Sequence, residues 1–169
     1  ITPQRNKLIC SVVSGFSGVP GYEDRRKFLE GLSKSTSQFD IYGRYSKAIY
    51  SLPAYRGYVA SKYQTLSQYH YNLAIENSIE DWYISEKIFD ALLCGCMPIY
   101  YGSEKIFDLL PNEWFHFLPD LSPKSIQLAA NLAKTDSYLS VSENRVEIAK
   151  KIDKDFSFYQ KLNNVLIDQ

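Results

Sequence analysis

Apolar residues along this chain fall into two rhythms, short continuous runs and runs of helical period, and for the first two thirds of its length they alternate. Residues 7 to 14, KLICSVVS, form an apolar run of strand length ending in GFSGVPGYED, a loop rich in Gly and Pro. A helix is predicted from about Asp24, with Phe28, Leu29 and Leu32 on one face. FDIYG, residues 39 to 43, reads as a second short strand stopped by glycine. Residues 45 to 68 are rich in Tyr and Ser and carry no clear period, although VASKYQTLSQY fits a helix. A strand over 70 to 76, a helix from about Glu86 to Cys94 and a strand MPIYY closed by Gly102 follow, with WFHFL (114 to 118) as one more strand candidate.

From Ser122 the period becomes helical throughout. SPKSIQLAANLAK has Pro early in the helix and Ile126, Leu128, Ala129 and Leu132 as a recurring face, and two further amphipathic segments lie near 138 to 152 and 155 to 168. Strands alternating with helices predict an α/β fold, a Rossmann-like parallel sheet flanked by helices, with residues 122 to 169 as a helical C-terminal tail. At 169 residues and 45% hydrophobic content, the whole chain is expected to form a single domain.

Composition then removes several functions. Nineteen basic and nineteen acidic side chains cancel, so no bulk field attracts a polyanion, and nucleic acid is not an expected partner. The three cysteines, Cys10, Cys94 and Cys96, do not form a disulfide framework, and Cys-Gly-Cys is too tight for an ordinary zinc knuckle. They read as buried free thiols. No run approaches the roughly 18 apolar residues of a membrane span, so no transmembrane segment is expected. The start ITPQRNKLIC lacks the apolar core and cleavage site of a signal peptide, and a first residue of Ile suggests a piece of a longer protein. The lack of a signal suggests the bacterial cytoplasm, although a lumenal domain cut from a membrane-anchored protein would lack one too.

The chemistry concentrates between two apolar elements, where Glu76, Asn77, Ser78, Tyr83, Glu86 and Lys87 form a polar knot at a strand-to-helix junction. That edge of a parallel sheet is where such folds hold ligands. Ser85 is placed as an N-cap, which aims the free N–H groups of the first turn outward as an anion site, and Lys87 adds positive charge suited to a diphosphate. A carboxylate such as Glu86 repels phosphate but accepts from the two hydroxyls of a ribose. Arg25, after the Gly/Pro-rich loop, faces the same edge and offers a phosphate its planar fork, while its neighbour Arg26 is expected to be solvated. Glu and Lys in a first turn also decorate ordinary surface helices, and Asn-Ser after a strand is an ordinary turn. What sets these residues apart is their coincidence at one junction.

NLAIENSIEDWYISEKIFDALLCGCMPIYYG resembles the donor-binding signature of glycosyltransferase family 10, the α1,3/α1,4-fucosyltransferases. The match runs through Glu76-Asn77-Ser78, Tyr83-Ile84-Ser85-Glu86-Lys87, Ala91-Leu92, Gly95, Pro98 and Gly102. Upstream, CSVVSG with Arg25, Phe28 and Leu32, then FDIYGR and Lys62, are similar to further family segments, so the likeness covers about residues 7 to 120. Gly15 departs from it, standing where many members carry Asn.

The resemblance implies the C-terminal half of a GT-B glycosyltransferase, holding GDP-fucose without a required cofactor. It places Arg25 and Lys87 on the diphosphate, Glu86 on the ribose, and Asn77 and Tyr83 along the pocket. It also implies inverting transfer of L-fucose to a glycan acceptor, with the general base in an N-terminal acceptor domain of the same polypeptide. No catalytic residue and no metal ligand is assigned within these 169 residues. DKD (153 to 155) has the shape of a metal-binding Asp-x-Asp, but its lysine-rich setting reads as a solvated turn or cap. The alternatives are a transferase for another nucleotide sugar and a non-catalytic module that only binds one.

Overall fold

A computed structural model describes residues 5–13, 21–44 and 47–156, with the side chains of 47 and 48 outside that description. Six strands form one parallel sheet: β1 (Lys7–Val13), β2 (Phe39–Gly43), β3 (Tyr55–Gly57), β4 (Tyr69–Ile75), β5 (Met97–Tyr101) and β6 (His116–Phe117). Their spatial order is β3-β2-β1-β4-β5-β6, the order of a doubly wound nucleotide-binding fold, with its switch point between β1 and β4. β4, at the centre, is buried at almost every position, as a strand covered on both faces must be.

Right-handed crossovers leave the centre in opposite directions, so α1 (Tyr22–Ser35), after β1, and α4 (Glu86–Leu93), after β4, lie on opposite faces. Two short helices, α2 (Lys47–Tyr50) and α3 (Lys62–Leu66), connect β2 to β4 on either side of β3. α1 buries Tyr22, Arg25, Phe28, Leu29 and Leu32, a stripe of helical spacing that includes one arginine. It begins two residues before the expected Asp24, because Gly21 supplies the turn at φ 76°. A side chain there would also meet the Asn77 carbonyl oxygen at 2.8 Å, so glycine permits both the turn and the close approach of the β4–α4 loop.

The helical segment after Ser122 is part of both layers. α5 (Pro123–Leu132) packs on α1, α6 (Leu139–Ser142) follows, and α7 (Arg145–Phe156) packs on α4, with Phe156 and Phe89 ring centroids 5.0 Å apart. Asp153 and Asp155 lie within α7, and Asp155 pairs with Lys151 at 3.0 Å, so DKD is helical and not a turn. The amphipathic segment expected at 155 to 168 falls largely outside the described residues, as does Gly15. VASKYQTLSQY is helical only over Lys62–Leu66, where Ser61 caps it. All three cysteines are buried and free, and burial pushes the Cys94 thiol up to about 11. Among the described residues no helix is long and apolar enough to cross a membrane.

Candidate functional site

The C-terminal edge of the sheet holds a cleft of about 570 Å³ at the ends of β1, β2 and β4 and the start of α4, next to the switch point. Four of the residues expected from sequence, Asn77, Tyr83, Glu86 and Lys87, line it. The fifth, Arg25, stands behind Asn77: its guanidinium donates to the Asn77 side-chain carbonyl while its stem stays buried. Burial pushes the Arg25 pKa down, and Tyr22, Glu76 and Tyr83 pull it back up. Arg26, one position round the helix, is instead held on the surface by Glu23 and Glu30 at 2.8 and 3.0 Å. The pair divides as the helix phase requires.

Ser85 is the N-cap of α4, with extended backbone and its hydroxyl accepting from the Lys87 N–H at 3.5 Å. That closes one of the orphan donors of the first turn. Glu76, at the end of β4, is buried, and its carboxylate accepts from the Ser85 N–H at 2.8 Å and the Ser85 hydroxyl at 2.7 Å. The Lys87 ammonium donates to the same carboxylate at 2.9 Å and to Ser85 Oγ at 2.7 Å. Lys87 is therefore not a free cation: it is ion-paired at the cleft wall.

Glu86 points outward and pairs with Lys62 at 3.3 Å, while Lys62 also reaches Asp90 at 2.8 Å. Burial alone would raise the Glu86 pKa, but its own backbone N–H, Lys87 and Lys62 together hold it below the ordinary value. It stays ionised, an acceptor for hydroxyl donors. The cleft also contains Arg44, Tyr58 and Lys62, which were not among the residues expected to bind ligand. Arg44 follows β2 directly, so the rule that ligands gather at strand ends could have found it. Tyr58, 69% exposed on the rim, carries no such signal.

The arrangement is a nucleotide-sized cleft at the switch point of a doubly wound sheet, with a cationic helix start beside an ionised carboxylate. The family model for the C-terminal region of glycosyltransferase family 10, the fucosyltransferases, matches residues 2–143, and the chain belongs to that family. Among curated relatives, 4-galactosyl-N-acetylglucosaminide 3-alpha-L-fucosyltransferase 9 of Bos taurus is 33% identical over 138 residues, covering 79% of this chain and 34% of the relative. GDP-fucose protein O-fucosyltransferase 3 of Homo sapiens is 36% identical over 85 residues, covering 50% and 18%. The chain thus spans about a third or less of the length of these relatives.

Solved structures agree on architecture. A crystal structure of alpha1,3-fucosyltransferase with GDP-fucose matches with a TM-score of 0.62 and 21% identity, over 90% of this chain and 49% of that one. Anabaena Alr3699/HepE in complex with UDP and glucose matches with a TM-score of 0.69 and 13% identity, over 97% and 49%. The fold is therefore the sheet-and-helix half that GT-B glycosyltransferases share, and the likeness extends across proteins holding different nucleotides.

Proposed function

We propose that this chain is the donor-binding half of a fucosyltransferase and holds GDP-fucose in the cleft between β1, β2 and α4. The observation that carries the reading is the convergence of Asn77, Tyr83, Glu86 and Lys87 on that cleft, with Arg25 bonded behind Asn77, in a chain of family 10. Lys87 and the start of α4 meet the diphosphate, Arg25 backs them with its charge from behind Asn77, Glu86 takes the ribose hydroxyls, and Asn77 and Tyr83 line the pocket.

Transfer proceeds with inversion: an acceptor glycan hydroxyl, deprotonated by a carboxylate of an N-terminal acceptor domain, attacks the anomeric carbon as GDP departs. Negative charge grows on the diphosphate as the bond breaks, so the attraction of Lys87, the helix start and, from behind Asn77, Arg25 strengthens toward the transition state. Those cations supply the charge compensation that a metal ion provides in other transferases. Glu76 is engaged by Ser85 and Lys87 and Glu86 by Lys62, in keeping with a base supplied from elsewhere in the polypeptide.

The test is a thermal-shift and calorimetric comparison of GDP, GDP-fucose, GDP-mannose, UDP-glucose and ADP. GDP forms should stabilise the chain, by about 2.7 kcal/mol at one hundred times the dissociation constant. Equal stabilisation by UDP-glucose would point to another nucleotide sugar. Binding of GDP-fucose with no transfer even after the rest of the polypeptide is supplied would point to a binding module.

A further inference from the structure

We propose that Glu76 is a positioning residue of the donor site, acting through Lys87: it fixes the ammonium so that its remaining N–H is presented to the donor diphosphate. The inference rests on the donor reading above.

Glu76 is 3% exposed and its side chain is fully covered. Its own N–H is bonded to the Tyr101 carbonyl at 2.8 Å, which fixes the residue at the end of β4. The Tyr100 hydroxyl is buried alongside, its pKa raised by burial first and by the Glu76 charge second. A carboxylate in such a place is costly unless it is paired and hydrogen-bonded. If capping α4 were its whole task, a neutral acceptor would serve the Ser85 N–H and hydroxyl equally well. The full charge is matched directly by the Lys87 ammonium at 2.9 Å, with the Arg25 guanidinium adding attraction from further off.

The geometry of that ammonium carries the inference further. It has three donors, and two are occupied, by Glu76 Oε2 and Ser85 Oγ. The side chain is 19% exposed and lines the cleft, so the third donor is the one left for a ligand. A free lysine has a long, freely rotating stem, and binding must order it. Here Glu76 and Ser85 have ordered it before the ligand arrives, which lowers the entropic cost of binding. Glu76 also weakens the attraction of Lys87 for phosphate by partly neutralising it. The proposal is that ordering outweighs neutralisation.

A double-mutant cycle decides this, with GDP titrated calorimetrically into the 169-residue chain and its Glu76→Gln, Lys87→Met and doubly substituted forms. Glu76→Gln should weaken GDP binding about tenfold in the natural background, and by less than about twofold once Lys87 is Met. Equal weakening in both backgrounds would mean that Glu76 only supports the fold, and tighter binding in Glu76→Gln would mean that it only neutralises Lys87. Either result overturns the proposal. If Glu76→Gln does not fold, the Lys87 ammonium resonance of the natural chain gives the answer. Protection from exchange and a shift on adding GDP are expected, and an averaged signal that GDP does not move would refute the idea. Arg25→Ala separates the two readings: if it abolishes GDP binding while the Glu76 cycle is flat, the donor site stands and the positioning role falls. Failure of the natural chain to bind GDP removes both.

Discussion

Arg25 of α1 and Asn77 of the β4–α4 loop are hydrogen-bonded to each other across the C-terminal edge of the sheet, 52 residues apart in sequence. The bond ties the first crossover helix to the junction that carries Glu86 and Lys87, so the two halves of the proposed diphosphate site are held as one unit. Replacing Arg25 by Ala should cost roughly 1.5–3 kcal/mol of GDP binding, the scale of a charged hydrogen bond. It should also lower stability, since Arg25 is buried and Asn77 loses its partner. Arg26→Ala is the control, losing only solvent-screened surface pairs and no GDP affinity. Calorimetry at a temperature well below both melting points checks the contrast.

Glu86 is assigned to the ribose because it is ionised and stands at the wall of the cleft. The natural chain should therefore prefer GDP over 2′,3′-dideoxy-GDP by about 1.5–3 kcal/mol, and Glu86→Gln should remove most of that preference. Lys62 pairs with Glu86 across exposed positions, so Lys62→Met should cost under about 1 kcal/mol of stability. A Glu86→Gln chain that still discriminates the two nucleotides would place the ribose elsewhere.

Much of this site could be read from sequence because its parts are local. Ser85, Glu86 and Lys87 sit together at a cap that residue type announces, and the phase of α1 separates Arg25 from Arg26. Pairings that cross the fold left no such trace: Lys87 with Glu76 spans 11 residues and Lys62 with Glu86 spans 24. The same limit applies to strands. β1, β4 and β5 are central and apolar, and their runs gave them away. β3 is three residues long, partly exposed, and joined to β2 through a register shift, so its sequence carries neither an apolar run nor alternation.

His116 provides a pH test of the core away from the cleft. Its Nε2 lies 2.7 Å from Ser137 Oγ, and burial pushes its pKa below the ordinary value of about 6.5. The folded chain thus resists protonation that the unfolded chain accepts. Stability contributed by the neutral ring is fully present above about pH 6.5 and is lost as pH falls from there toward the lowered folded value. His116→Gln should flatten this part of the pH profile of melting temperature. His70, shifted the same way by burial first and by Arg5 second, should supply the remainder of the slope.

Gly102 ends β5 beneath the junction, and the demand for glycine there comes from neighbours, not from its backbone angle. A Cβ at this position would lie 2.2 Å from the Tyr100 hydroxyl oxygen, 2.4 Å from Tyr100 Cζ and 2.8 Å from Glu76 Cγ. None of these atoms is the loose end of a flexible chain. The Tyr100 ring is fully buried, with Phe115 and Phe117 centroids 6.4 and 6.3 Å away, and Glu76 is held by Ser85 and Lys87. Gly102→Ala should therefore destabilise the chain by about 1–3 kcal/mol or more, as overpacking of a rigid core does, measured by urea unfolding. Tyr100→Phe in the same background should recover little, because ring carbon Cζ remains in the way. Tyr100→Leu, which clears both atoms, should recover a measurable part. Equal recovery by Phe and Leu would mean that the hydroxyl alone sets the need for glycine and that the ring itself can yield.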